Sequence, residues 1–526
     1  MQVIIPMSGF GERFRKAGYT VPKPLIEVDG KHIIEHIIEM FSATDDFIFI
    51  CNSDHLKNPD YKMREILTRI APDGVIHSIE PHKLGPIHAV MQIINFIDKD
   101  KATLVNYADF TCDWDYSHFC KKMRESDCDG SIPAYRGFHP HTLWSNYYAY
   151  LKENDLKVVD IQEKTPFTDK PTEEFASSGT YYFKNAYLME EYFKKCIKQH
   201  LMVGGEYYVS MAYKPMIDDG LNIEIYELNH FMQWGTPLDL EEYQYWSGIF
   251  SSMVKKRDYP RHNGTRMMPI VGQGSRFIKE GFVVPKPMIE VSKDYMAVKA
   301  LQHLPRTERT RVVLRDDMEE KDLLVKRLKD SDKNTDFIFL NKMTDGQAST
   351  CYEGLSGLSK DEPLTIAACD NGMVYDKNLF DELYNDNSVD IIVWTARGYP
   401  GAIRNPKAYG WVEIDELKHI RKVSVKEPLS NPKSDPVVTG TFTFKKTKDF
   451  ISCVDRMKSR EGKINNEYYI DNAINDALEL GLKCSIFEVE YFICWGTPND
   501  LKTFEYWQKC FDEWQYHQYD KKQEHP

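Results

Sequence analysis

No apolar stretch in this 526-residue chain approaches the roughly 20 residues that a membrane-spanning helix needs, and the mean hydropathy is −0.51. Cations are in deficit: 67 Lys and Arg against 80 Asp and Glu leave a net charge of −13. A nucleic acid is therefore not expected as the main partner, because phosphate backbones need clustered Lys and Arg. One small phosphorylated ligand needs only a local basic pocket, which this balance permits. The 11 cysteines are odd in number and contain no CxxC pair. They are expected to be free thiols in a reducing cytoplasm, and zinc is not expected. The opening MQVIIPMSGF has no basic segment and no small-residue cleavage site. It is expected to be a strand entering a glycine turn, not a signal peptide. No membrane partner is expected, and a cytoplasmic location is.

What is present resembles a globular chain, with 42% hydrophobic and 28% charged residues. That excludes a disordered, collagen-like or coiled-coil protein. A single core rarely exceeds about 250–300 residues, so two domains are expected. Half of the length is 263, and an internal repeat has that offset. GFGERFRKAGYTVPKPLIE at 9–27 matches GQGSRFIKEGFVVPKPMIE at 272–290. Arg13 and Arg276 are 263 apart, as are Lys23 and Lys286. Farther along the offset is 261: Ser178-Gly179-Thr180 with Thr439-Gly440-Thr441, Glu206-Tyr207-Tyr208 with Glu467-Tyr468-Tyr469, and Trp234-Gly235-Thr236-Pro237 with Trp495-Gly496-Thr497-Pro498. A period this long is a duplicated domain, not a solenoid. The expected domains are 1–258 and 265–526, with a polar seam at Ser252–Thr265 broken by Pro260 and Gly264. Each copy ends in an aromatic helix, LDLEEYQYW and NDLKTFEYW, and the two domains are expected to pack as an intrachain pseudo-dimer.

Within each copy, strand-like and helical patterns alternate. QVIIP, DFIFIC and ATLVNYAD are short apolar runs, as are RMMPIV, LTIAACD and IIVWTA in the second copy. Ile33, Ile34, Ile37 and Ile38 share a helical face, and Ile87, Val90, Met91 and Ile94 recur at helical spacing. The fold class expected is α/β, each domain a mixed, mostly parallel sheet flanked by helices. Ligands of such sheets bind beyond the carboxyl ends of the strands. The turn after the first strand and Asp109 at the end of ATLVNYAD both fall on that edge.

That turn is Ser8-Gly9-Phe10-Gly11-Glu12-Arg13. It departs from the dinucleotide fingerprint, because position 14 is Phe14, and it lacks the GK[ST] of a P-loop. What remains is GxGxRF followed, ten residues after the arginine, by Lys23 in a PKP frame. Amides at a helix start, an arginine and a lysine together suit a triphosphate. Solvated basic side chains would explain one copy. The same spacing in both copies favours the cradle.

GxGxRF…PKPLIEVDGK resembles the signature of the sugar-phosphate nucleotidyltransferase family, along nearly the whole of each half. The resemblance implies two tandem Rossmann-like domains and enzymes that join a nucleoside triphosphate to a small phosphorylated acceptor. It implies that Ser8, Gly9 and Gly11, with Gly272 and Gly274 in the second copy, wrap the nucleotide phosphates. Arg13, Lys23, Arg276 and Lys286 would hold the triphosphate and the reacting α-phosphate. Gly85, His88 and Ala89 in LGPIHAV, and more loosely Gly346, would meet base and ribose. Asp109 and Asp370 would bind Mg²⁺ and belong to the catalytic set. Glu163, Lys164 and Gly179, with Lys426 and Gly440, would line the acceptor pocket. The product would be an activated precursor for surface polysaccharide.

Two departures stand against that pattern. The family's second metal-binding Asp is replaced by Gln233 and by Cys494, leaving Asp113 or Asp115 as further candidates in copy one. Aligning Pro428 with Pro166 puts Lys426 on Lys164 but Val425 on Glu163, so copy one is expected to hold the more complete site. Copy two is expected to use a different acceptor or to act as a nucleotide sensor. Asp113-Trp114-Asp115 also has the D-x-D form of a glycosyltransferase metal site, although an acidic helix start explains it equally well. His139 and His141 are expected to be loop residues. Trp144, Tyr147 and Tyr148 are expected in the core, with a cage for a quaternary amine as the sharper alternative.

Overall fold

The structure is a computed structural model and describes residues 1–255 and 261–523. It divides into two compact units, Met1–Ser247 and Gly248–Pro526, the division falling inside the helix Pro237–Met253. Part of the expected seam, residues 256–260, lies outside the described residues.

In the first unit a ten-stranded sheet is built on Gln2–Met7. From one edge the strands run Val75–Ile79, Asp46–Asn52, Gln2–Met7, Thr103–Asn106, Thr180–Phe183, Gly130–Tyr135 and Ile223–Glu227. Lys157–Glu163, Ala149–Asn154 and Phe175–Ser177 then complete the sheet as an antiparallel extension. The first four strands are parallel to one another. Thr180–Phe183 runs antiparallel between Thr103–Asn106 and Gly130–Tyr135. Ile223–Glu227 again pairs parallel with Gly130–Tyr135. Continuous apolar runs make this possible, since central strands are covered on both faces. Ile4, Val105, Ile132, Phe183 and Phe193 are fully buried in one core. Each such side chain stabilises the fold by about 1.5–3 kcal/mol.

The second unit repeats this order: Thr335–Leu340, Arg306–Arg315, Arg261–Ile270, Leu364–Ala367, Val437–Phe444, Ile391–Ala396 and Cys484–Glu488. The senses of pairing also repeat, parallel on either side of Arg261–Ile270 and antiparallel on either side of Val437–Phe444. Its own core is centred on Met267, Ile366, Val393, Phe444 and Phe450. Each unit carries a small ladder at the same place: Phe110–Asp113 with His230–Gln233, and Asn371–Val374 with Tyr491–Cys494.

Element boundaries differ from the sequence expectation in three places. The expected strand ATLVNYAD is regular only over Thr103–Asn106, after which the chain turns through Asp109 into the ladder. The expected long helix from Pro86 stops at Gln92 and resumes as a single turn at Ile94–Phe96. The strand expected at RMMPIV begins earlier, at Arg261, inside the expected seam. Its register shifts between His262 and Thr265, where Gly264 has φ +85°. A bulge of this kind lets a polar lead-in segment still join the ladder.

Candidate functional site

The first strand ends at Met7 and the chain turns through Ser8–Gly11 into the helix Glu12–Lys16. Gly11 caps that helix in the left-handed region, φ +61°, and Gly274 repeats this at φ +66°. Phe14 is buried and anchors the short helix, and its neighbour Arg13 lines a pocket. Lys23 begins a one-turn helix, Lys23–Leu25, held by Pro24 and Leu25 in the interior. Its Nζ donates to Asp109 Oδ2 at 2.9 Å, joining the glycine-loop side of the sheet edge to the turn after Thr103–Asn106. Lys286 and Asp370 form the same pair in the second unit, and Lys286 Nζ also donates to the Gly496 carbonyl at 3.3 Å. Burial opposes the Lys286 charge, but Asp370 outweighs it and holds the ammonium above its ordinary range.

Arg13, Asp109, Glu163, Lys164, Ser178, Gly179 and Gln233 line a single cavity that offers about 160 Å³ to water. Lys164 is in the left-handed region at φ +62°, and its amide donates to the Tyr148 carbonyl at 2.8 Å. Its Nζ donates to the Tyr208 hydroxyl at 2.6 Å and lies 4.4 Å from the Tyr208 ring centroid. The Tyr208 hydroxyl donates in turn to Glu206. Glu163 Oε2 accepts from Ser210 Oγ at 2.6 Å. Burial raises the Glu163 pKa, and the Ser210 hydrogen bond and the Lys164 charge act against that. Asp239 lies in the same cavity, pushed up to about 6 by burial while the Thr236 hydroxyl, 2.6 Å away, favours its charged form. Two cations and several carboxylates therefore meet in one half-open space, an arrangement that can hold a phosphate against a neutral hydroxyl-bearing body.

On the nucleotide side, Gly85 precedes the helix Pro86–Gln92 at φ +88°. A Cβ there would lie 2.7 Å from Tyr207 N and 2.8 Å from Tyr207 O, so glycine is required for this close approach. Tyr207 N donates to Leu84 O at 2.9 Å, and Ile87 N donates to Tyr207 O at 3.2 Å. The second unit repeats the contact between Gly346 and Tyr468, with Cβ distances of 2.5 and 2.6 Å. The likeness of Gly346 to Gly85, loose in sequence, is therefore close in geometry. His88 packs against His82 with ring centroids 4.6 Å apart, and His82 Nε2 is 3.4 Å from Ser8 Oγ. Ala89 is not at the surface of this region. It is fully buried in the core, its helical position turned toward the sheet, which corrects the expected nucleotide contact.

The remaining expected residues have these surroundings. Gly179 at φ +102° and Gly440 at φ +84° occupy matching turns before the paired strands or within them. Gly9 and Gly272 stand in the open glycine loops with free space around them. Arg276 lies on the helix Ser275–Lys279. Glycine-loop residues Gly272 and Gly274 border a second cavity with Lys286 and Arg315. Asp115 caps the helix Tyr116–Glu125, accepting from His118 N at 2.8 Å, and Asp113 sits at the end of its ladder away from Asp109. Neither lines the cavity, so the acidic helix start is the reading the structure bears out.

His139 lies in irregular chain and His141 in the one-turn helix Pro140–Leu143, as loop residues, and both are buried against Tyr135 and Phe231. His141 Nε2 meets the Tyr135 hydroxyl at 3.1 Å. Burial holds His139 down to about 3 and lowers His141 well below its ordinary value, so both rings are neutral. Trp144 donates to Glu242 at 3.1 Å, Tyr148 is buried, and Tyr147 is exposed with its ring 5.8 Å from the Arg13 guanidinium carbon. The three rings thus serve three different surroundings.

Sequence reasoning missed Ser210, Tyr208 and Asp239. Tyr208 lay in a repeated tripeptide used only to measure the offset. Asp239 and Asp500 repeat at the same offset of 261, two residues after each Gly-Thr-Pro, and that recurrence was the available signal.

Residues 2–214 match the family model described as Nucleotidyl transferase. A Bifunctional protein GlmU of Methanocaldococcus jannaschii is 24% identical over 244 residues, covering 46% of this chain and 53% of that protein. A Bifunctional protein GlmU of Ralstonia pickettii is 31% identical over 109 residues, 21% of this chain and 22% of that protein. A glucose-1-phosphate cytidylyltransferase of Salmonella typhimurium is 24% identical over 135 residues, 22% of this chain and 52% of that protein. The chain thus spans about half, or less, of the length of these relatives. Among solved structures, the inositol-1-phosphate CTP transferase from T. maritima has a TM-score of 0.38 at 16% identity, covering 47% of this chain and 96% of that one.

Proposed function

We propose that the chain transfers a nucleotidyl group from a nucleoside triphosphate to a small phosphorylated acceptor, with release of pyrophosphate, in the first unit. The observation that carries this reading is the Lys23–Asp109 pair between the glycine loop and the cavity that holds Arg13, Glu163 and Lys164. The reaction brings two anions together, so positioned cations do most of the work. Ser8, Gly9 and Gly11 offer amides to the triphosphate, Arg13 and Lys23 neutralise it, and Gly85 and His88 border the base. Lys164 takes the acceptor phosphate, while Glu163 and the Gly179 turn hold its hydroxyl-bearing body. The acceptor phosphate is already ionised, so no general base is needed. In the second unit Arg276, Lys286, Asp370, Gly272, Gly274, Gly346 and Gly440 take the corresponding places. The functional domains are read as 1–258 and 265–526. The acceptor class is read as a sugar phosphate, since one relative bears the name glucose-1-phosphate cytidylyltransferase. The product is read as a cytoplasmic precursor of surface polysaccharide.

The donor set suits Mg²⁺, a hard cation that takes one or two carboxylates and completes its shell with phosphate oxygens and water. Asp109 would hold it, and Gln233 lines the same cavity; the Gln233 atom nearest the space over Gly235 is Nε2, a hydrogen-bond donor and no metal ligand. When bound, Mg²⁺ supplies charge neutralisation at the phosphates. In the second unit Cys494 faces Asp370 instead, a soft group that leaves Asp370 as the hard ligand.

The test is pyrophosphate release by the full chain with each nucleoside triphosphate against sugar and polyol phosphates. Arg13→Ala and Lys23→Ala, each removing one phosphate cation, are expected to lower first-site release by about 10²-fold or more. Release at the wild-type rate in both variants would remove the assignment.

A further inference from the structure

Sequence alignment leaves the second copy without the acceptor-side carboxylate, because Val425 stands where Glu163 stands in the first. The three-dimensional register shows where that charge went. Lys426 has φ +62°, the value of Lys164, and its amide donates to the Tyr409 carbonyl at 3.0 Å, as Lys164 does to Tyr148. Tyr409 and Tyr148 are 261 apart, so the two lysines occupy equivalent turns. One residue earlier, Glu163 pairs with Ala149 across its strands, and Val425 pairs with Gly410. In the first unit Ser210 supports Glu163 from the segment after Tyr208. The residue 261 later is Asp471, in the first turn of the helix Ile470–Glu479.

Asp471 points at the place Glu163 would fill. A Cβ on Gly410 would lie 2.6 Å from Asp471 Oδ2, so the carboxylate occupies space opened by glycine at the position of Ala149. The strand glutamate and helix serine have thus become a strand valine and helix aspartate, and the small residue between them has become smaller. The cation stays beside the equivalent tyrosine, Lys426 Nζ 5.8 Å from the Tyr469 ring centroid as Lys164 lies 4.4 Å from that of Tyr208, but Lys426 Nζ donates to the Ala408 carbonyl where Lys164 donates to the Tyr208 hydroxyl. Burial pushes Asp471 up to about 6 while the Lys426 charge pulls it down. Burial lowers Lys426, with Asp471 opposing and Arg276 adding to the fall. Lys426 thus has both the Asp471 carboxylate and the Arg276 guanidinium among the charges that act on it.

We propose that the second unit holds its own acceptor pocket, in which Asp471 on the helix takes the place of Glu163 and binds the hydrogen-bond donor of a second phosphorylated substrate beside Lys426. The transposition preserves one carboxylate and one cation but draws the carboxylate from a different element. The second acceptor shares the phosphate with the first and carries its hydroxyl or ammonium donor in a different direction from it. Its phosphate oxygen attacks the α-phosphorus of a nucleoside triphosphate held by Arg276 and Lys286. The new P–O bond forms as the bond from that phosphorus to the bridging oxygen breaks, and pyrophosphate leaves with the electron pair. Nothing is oxidised or reduced.

This inference rests on the reading of the first unit, and the test separates the two. Pyrophosphate release is measured with ATP, CTP, GTP, UTP and dTTP on the full chain and on R13A/K23A and R276A/K286A. A polyol arm uses glucose 1-phosphate and inositol 1-phosphate, and an amine arm uses phosphoethanolamine and phosphoserine. R13A/K23A is expected to retain acceptor-dependent release with one arm. In that background Asp471→Asn should raise the acceptor KM about tenfold or more, the loss of one charge-assisted hydrogen bond, with the triphosphate KM unchanged. The double variant V425E/D471S, which rebuilds the first unit's arrangement, should shift preference toward the acceptor used by R276A/K286A. It also serves if Asp471→Asn folds poorly. Release by the wild type and R276A/K286A but not by R13A/K23A would overturn the inference and leave the first-site reading standing. An unchanged acceptor KM in folded Asp471→Asn would also overturn it. No release from any chain would overturn both.

Discussion

Gly85→Ala tests the joint between the nucleotide side and the acceptor side of the first unit. Gly85 has φ +88°, where a residue with a side chain costs about 1–2 kcal/mol. The new Cβ would stand 2.7 and 2.8 Å from the amide and carbonyl of Tyr207. Those two groups cannot retreat freely, because they bond Leu84 and Ile87. Losing both bonds costs a further ~1 kcal/mol each. The sum is about 3–4 kcal/mol, a large part of the roughly 5–15 kcal/mol available to a domain. At about 2–4 °C per kcal/mol for a unit of this size, the first unit should melt about 10 °C lower. Scanning calorimetry of the full chain reads this directly. Tyr208 follows Tyr207 and holds Lys164, so the surviving folded enzyme should show raised KM for both substrates, although Gly85 lies on the nucleotide side. A melting temperature within about 2 °C of wild type, with only the triphosphate KM altered, would refute the reasoning, because it would mean that Tyr207 yields without disturbing Lys164.

Gln233→Asp should restore a second carboxylate beside Asp109 and lower the Mg²⁺ concentration needed for half-maximal release; a titration of activity against Mg²⁺ checks it, and an unchanged midpoint would place Gln233 away from the metal. Ser210→Ala removes the hydrogen bond that opposes the burial-driven rise of Glu163. The Glu163 pKa should then rise farther, so the charged form appears only at higher pH and the acidic limb of kcat/KM for the acceptor moves upward. A profile superimposable on wild type would exclude Glu163 from acceptor binding. Gly346→Ala meets Tyr468 N at 2.5 Å and should lower the melting temperature of the second unit at least as much as Gly85→Ala lowers that of the first, read in the same calorimetric scan.

The repeated glycine turn and its two cations were legible because they are local. Arg13 on the glycine-capped helix and Lys23 just beyond it are ten residues apart, and the spacing survives in Arg276 and Lys286. Short range also explains the expectations that failed. Ala89 was assigned by its place in LGPIHAV, but a helix turns successive side chains to different faces, and this one faces the sheet. The loop placement of His139 and His141 was legible, but their burial was not, because the Phe231 ladder covers them. Burial by a segment about ninety residues away leaves no mark on local pattern. The ends of the strand at Thr103–Asn106 and of the helix at Pro86–Gln92 were overrun because apolar runs continue past the point where tertiary turns begin.

By itself the sequence determined the duplication, the α/β alternation and the pairing of a glycine loop with two cations, since these are carried by periodicity and by spacing within a few turns of chain. Only the tertiary structure decided which carboxylates stand beside the cations. Glu163 meets Ser210 across 47 residues of chain, and Asp471 meets the vacancy at Gly410 across 61. A carboxylate can be drawn from a different element and still stand beside the same cation, because a site requires a group at a point in space, and the fold lets several positions along the chain reach it.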